Sequence, residues 1–99
     1  MATHIVAWNF KPEVKEEDKE ALKANMKKNL ESLVGRVPGL LEVRFVDNAS
    51  EGSNREIGLI TKHATFEDIA GYSNNPEHVA VASTFVRPYT ADRICLNFE

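Results

Sequence analysis

The sequence predicts an α+β fold, and three observations carry that prediction. Four strand-length runs rich in β-branched and aromatic residues are spread along the 99 residues. One Lys/Glu-rich segment bears a single apolar stripe at helical spacing. A second helical segment is interrupted at Asn75-Pro76. In chain order these elements read β-α-β-β-α-β.

The first strand, His4–Phe10, contains no Gly and ends at Lys11-Pro12. Alternation puts His4, Val6, Trp8 and Phe10 on one face and Ile5, Ala7 and Asn9 on the other. A helix is predicted over Glu16–Val34, where Leu22, Met26, Leu30 and Leu33, continued by Val37, form the stripe and charges fill the remaining faces. Gly35 and Pro38-Gly39 close it. Leu40–Val46 reads as the second strand, with Leu41, Val43 and Phe45 alternating against Glu42 and Arg44. A polar loop from Asp47 to Arg55 follows, then a third strand over Glu56–His63 with Ile57, Leu59 and Ile60.

Thr65-Phe66-Glu67-Asp68 resembles a capping box that opens a short helix running to about Tyr72. Asn75 as N-cap and Pro76 at the first helical position restart the helix. The new helix carries Val79, Ala82, Phe85 and Val86 and stops before Pro88. Asp92–Glu99 supplies the last strand, with Ile94, Leu96 and Phe98 on one face. This order is the ferredoxin-like plan, a four-stranded antiparallel sheet with the helices on one side, formed as a single domain over residues 1–99.

Composition narrows the function classes. Twelve Lys+Arg against 15 Asp+Glu give a formal charge of −3, with 42% apolar and 27% charged residues. That balance excludes intrinsic disorder, and no run approaches the roughly 20 apolar residues of a membrane span. The absence of a dense basic stripe argues against nucleic acid as a partner. A lone cysteine and an opening Met1-Ala2-Thr3-His4 without signal-peptide character lead to the expectation of a cytoplasmic protein. Cys95, within Ile94-Cys95-Leu96, is expected to behave as a small buried hydrophobe. With helices on one side only, the apolar residues of the other sheet face need cover, so a homodimer packing sheet against sheet is expected.

Chemistry converges on His78, Tyr72 and His4. His78 falls in the first turn of the last helix, where the partial positive charge disfavours imidazolium and leaves a neutral ring able to act as a base. Tyr72 stands six residues earlier, about 120° away on an unbroken helix, but the break at Asn75-Pro76 frees the two side chains to meet. A phenol beside such a base can donate to a developing oxyanion. Both residues also admit a structural role, as a core Tyr with a polar tip and a hydrogen-bonded helix start. His63 reads as structural or solvent-facing, and Arg87 as a cap for the last helical carbonyls. No metal-ligand spacing, phosphate-binding glycine loop or nucleophile elbow is present.

His4-Ile5-Val6 with Phe10-Lys11-Pro12, the turn Val37-Pro38-Gly39, the Y-x-x-x-P-x-H-V segment from Tyr72 to Val79, and Phe85-Val86-Arg87-Pro88 together resemble the stress-responsive dimeric α/β-barrel (Dabb) domain. The resemblance spans essentially the whole chain and implies a dimeric α/β barrel. The olivetolic acid cyclase-type enzymes of the family close a polyketide ring by an intramolecular aldol reaction without a cofactor. By that resemblance His78 and Tyr72 would be catalytic, and His4, Trp8, Ile57 and Phe85 would bind substrate. The chain departs from the pattern at Asn75 and Ile57, where such enzymes place further histidines. Two functions therefore follow: a site for a small apolar ligand with cofactor-free cyclase- or isomerase-like chemistry, or a non-catalytic stress-responsive or structural dimer.

Overall fold

A computed structural model describes residues Met1–Glu99. Its strands are β1 (Ala2–Phe10), β2 (Leu40–Val46), β3 (Ile57–His63) and β4 (Thr90–Phe98), and its helices α1 (Lys19–Glu31), α2 (Phe66–Asn74) and α3 (Pro76–Val81). The sheet is antiparallel throughout, in the order β2-β3-β1-β4. α1 thus connects β1 to β2 across β3, and the α2–α3 segment connects β3 to β4 across β1. This is the ferredoxin-like fold that the element order predicts.

The alternation of β1 is followed residue for residue: Ala2, His4, Val6, Trp8 and Phe10 are buried and the positions between them are half-buried. On β3 the same period buries Ile57, Leu59, Thr61 and His63. Phe45 of β2 extends this face, and against it pack Met26, Leu30, Leu33 and Val37 from the α1 segment, with Val86. The stripe lies as the sequence predicts, but the helix is shorter: Glu16–Asp18 forms a 3₁₀ turn, and after Glu31 the chain leaves the helix in a series of turns. Glu56 fastens its start, accepting from the Phe10 amide at 3.3 Å and from Lys19 Nζ at 2.9 Å.

Two details depart from the sequence reading. A register shift between Leu40 and Glu42 buries Leu40 and leaves Leu41 exposed, so the expected Leu41–Val43–Phe45 face starts one residue earlier. The last helix gives way after Val81 to a π-helical turn at Ala82–Val86 and a 3₁₀ turn at Arg87–Tyr89. Ala82 and Val86 are buried there, Phe85 is partly buried against the core, and Val79 is exposed.

Gly39 marks the closest approach between the α1–β2 turn and α2. Its φ is +79°, and a Cβ there would lie 2.3 Å from the carboxyl carbon of Asp68. Only glycine fits both demands. The opposite sheet face carries Ile5, Ile60, Ile94, Leu96 and Phe98, which the cross-strand pairs Ile5–Ile60, Ile5–Leu96, Ala7–Ile94 and Thr3–Phe98 bring together. From Asp92 onward β4 is exposed on both faces, and Leu96 reaches 60% exposure.

Candidate functional site

The break between α2 and α3 builds the site. Thr65 caps α2 by accepting from the Asp68 amide, while the Asp68 carboxylate accepts from the Thr65 amide at 3.1 Å, completing the expected capping box. α2 stops at Asn74, one residue short of Asn75, whose extended backbone and side-chain bond to the Glu77 amide at 2.9 Å start α3 at Pro76. The redirected helix brings the His78 ring over that of Tyr72, with centroids 4.2 Å apart. Tyr72 and His78 therefore converge as the break in the helical pattern predicts.

Tyr72 is 1% exposed, and its hydroxyl has no hydrogen-bond partner within the protein. Burial pushes its ionisation far above the ordinary value of 10.0, so the phenol stays a proton donor. His78 Nδ1 lies 3.2 Å from the Ser73 carbonyl oxygen, which can only accept. The Nδ1 proton is thereby committed, and in the neutral ring the free lone pair is on Nε2. Burial pulls the His78 pKa below 6.5; donation to Ser73 pushes back, and the positive charges of Arg87 and Arg93, with that of His4 when it is protonated, lower it further.

The two other histidines complete an aromatic cluster. His4 lies 6.2 Å from Tyr72 and 6.4 Å from His63 between ring centroids, and His63 lies 5.2 Å from Tyr72. His4 Nδ1 donates to Asn97 Oδ1 across the β1–β4 pair. Burial lowers the pKa of both histidines. Of the two alternatives for His63, structural or solvent-facing, the second does not hold: it is fully buried, its Nε2 is hydrogen-bonded to Thr61 Oγ1 at 2.8 Å, and its Nδ1 has no partner within the protein. The strict period of β3, Ile57–Leu59–Thr61–His63, is the signal that would have found it. Its cross-strand neighbour Ala2 is small enough to leave room for the imidazole.

His4, Trp8, Tyr72 and His78 line a cavity of about 80 Å³, together with Arg87 and Arg93. Of the six residues the sequence and its resemblance nominate, Ile57 and Phe85 are not among its walls. Ile57 faces Trp8 across the strands and belongs to the core, and Phe85 packs on the outside of that core. Arg87 does not cap a carbonyl; its Nη1 reaches Ser83 Oγ at 3.5 Å and the side chain borders the cavity. Cys95 is exposed rather than buried, because it lies on edge strand β4, whose residues from Asp92 onward the helices leave uncovered. Its Sγ is 3.7 Å from His4 Nδ1. No group of three or more His, Cys, Asp or Glu side chains is arranged to hold a metal ion, and no helix is long and apolar enough to cross a membrane.

The profile of the Stress responsive A/B Barrel Domain (Dabb) matches residues 2–99. The chain belongs to that family. A dimeric protein of unknown function with a ferredoxin-like fold from Bacteroides fragilis superimposes with a TM-score of 0.88 at 23% identity, covering 99% of this chain and 94% of that one. An Arabidopsis thaliana protein superimposes with a TM-score of 0.77 at 19% identity, over 100% of this chain and 94% of the other. The hydroxynitrile lyase of Passiflora edulis does so with a TM-score of 0.72 at 15% identity, over 98% and 90% of the respective chains. At these identities the likeness is one of fold. No curated protein sequence matches the chain significantly.

Proposed function

We propose that this Dabb chain binds a small carbonyl compound in the Tyr72–His78 cavity and moves a proton on it without a cofactor. The observation that carries the reading is the Tyr72 hydroxyl, buried at the cavity wall with no partner in the protein. A buried hydroxyl left unbonded costs about 1–3 kcal/mol, and a ligand oxygen would offset that cost. Tyr72 would donate to a carbonyl oxygen and His78 Nε2 would take a proton from the adjacent carbon. The negative charge that develops on the oxygen would then be held by the phenol. His4 and Trp8 would bound the ligand. The polar walls turn the expected apolar ligand into one with a polar head.

The size of the cavity shapes the proposal. At about 80 Å³ it falls well below the roughly 300–1,000 Å³ of drug-sized sites, so only the reacting end of a ligand is enclosed. A chain-length polyketide would lie mostly outside. The test is exchange of ketone α-protons with deuterated solvent. The wild type should accelerate exchange, and His78→Gln and Tyr72→Phe should each remove the acceleration while remaining folded. Wild-type exchange at the buffer rate would refute the catalytic reading.

A second reading rests on its own observation. The His78–Ser73 hydrogen bond also pins the α2–α3 junction, which a non-catalytic structural dimer would need equally. In that case His78→Gln would lower stability by about 1 kcal/mol, as loss of a hydrogen bond does, and α-proton exchange would stay at background.

Both readings include a homodimer of a single-domain chain in a reducing, cytosolic compartment. Three similar structures are dimeric ferredoxin-like proteins, and on the face of this chain that carries the half-buried Ile5 and Ile60, the side chains of Ile94, Leu96 and Phe98 are exposed. Association through that face would bury it in the manner of a sheet-on-sheet core.

A further inference from the structure

We propose that the ligand of the Tyr72–His78 cavity carries a carboxylate, held at the cavity mouth between Arg87 and Arg93; this rests on reading the cavity as a small-molecule site. The cavity of about 80 Å³ adjoins an outer groove of about 390 Å³. Trp8, Arg87 and Arg93 border both spaces. The inner chamber offers the phenol and the imidazole; the groove adds Lys11 to the two guanidinium groups. Asp92 is the sole carboxylate in the groove wall, and its Oδ2 already accepts from Asn9 Nδ2 at 3.1 Å.

Lys11, Arg87 and Arg93 take part in none of the six ion pairs of the protein. In a chain with net charge −3, three unpaired cations around one opening form a local positive field that attracts an anion. The two arginines act on the chamber itself, since both lower the basicity of His78. A guanidinium presents a planar fork of donors that fits a carboxylate. The arrangement defines a ligand with two ends: a carbonyl small enough for the inner chamber, and a carboxylate a few bonds away at the mouth. Small oxo-acids have that form. Trp8, which borders both spaces, would pack against the linking carbons.

The test compares levulinate, a keto acid, with methyl propyl ketone, a neutral ketone of similar size, and with inorganic phosphate. Binding is followed by nuclear magnetic resonance of the protein in wild type, Arg87→Gln, Arg93→Gln and Tyr72→Phe. Both arginines are exposed, so melting temperatures should hold. Levulinate should bind more tightly than the neutral ketone, shift the His78 ring resonances, and weaken by about tenfold in either arginine variant, the scale of a charge-assisted hydrogen bond. Equal affinity for levulinate and the ketone, or arginine variants that bind levulinate like wild type, would overturn the proposal. Tighter binding of phosphate than of levulinate at the same arginines would overturn the carboxylate assignment. Arginine-dependent binding that leaves His78 and Tyr72→Phe indifferent would instead keep the anion site and remove the cavity reading beneath it.

Discussion

On one side of the sheet, Val6, Trp8, Phe45 and Leu59 are shut from water by Met26, Leu30 and Leu33 of the same chain. On the other side, Ile5, Ile60, Ile94, Leu96 and Phe98 lie along neighbouring strands, and the last three stay exposed. The covered side also holds every buried polar group of the sheet, His4, Thr61 and His63, gathered at the end of β1–β3 beneath Tyr72. The first side is thus finished within the protomer, apart from two polar atoms without partners; on the second, Ile94, Leu96 and Phe98 remain open to solvent.

The largest expected effect lies within the helix-covered side. Leu30→Ala removes a side chain that is 1% exposed, and should cost about 2–5 kcal/mol of stability in chemical denaturation. Gly39→Ala comes next: positive φ and the contact with Asp68 should together cost about 1–3 kcal/mol and loosen the capping of α2. On the bare side, Leu96→Asp should leave the fold of the protomer intact, because the side chain is 60% exposed. It should instead convert a dimer into a monomer by light scattering; an unchanged mass would locate the interface elsewhere.

The histidine cluster gives a pH signature confined to the covered side. Burial holds the pKa of His4, His63 and His78 below the ordinary value of 6.5. The unfolded chain then binds more protons than the folded one just below 6.5, so stability rises with pH through that region and levels off above it. Acidification from neutral pH should therefore lower the melting temperature, and replacing His63 with Gln should flatten part of that slope. A melting temperature independent of pH below 6.5 would contradict the buried, neutral cluster.

Most of the covered side was legible from sequence, for a physical reason. Period-two burial on β1 and the steps of three and four residues from Leu22 to Val37 are local patterns, and the capping residues Thr65, Asp68 and Asn75 act within four positions of themselves. The meeting of Tyr72 with His78 was also legible, since Asn75-Pro76 forbids a continuous helix. What sequence left hidden depends on distant partners. Leu40 rather than Leu41 is buried because of a bulge set by pairing with β3. Cys95 is exposed because sheet order puts β4 at the edge. His63 is buried because α2 folds back over the end of β3, and Arg87 and Arg93 meet at the cavity from separate elements. Ile57 and Phe85, nominated by resemblance, pack in and against the core instead.

The central claim is that the Tyr72 hydroxyl is kept for a ligand rather than for the fold, and thermal unfolding of Tyr72→Phe tests it most directly. Deleting a buried hydroxyl that no protein group bonds should leave stability unchanged or raise it, by up to about 1–3 kcal/mol, the cost of an unsatisfied buried group, while ligand binding falls. A drop in stability of about 1 kcal/mol or more, the ordinary cost of a lost hydrogen bond, would show that the hydroxyl serves the structure and would contradict the account.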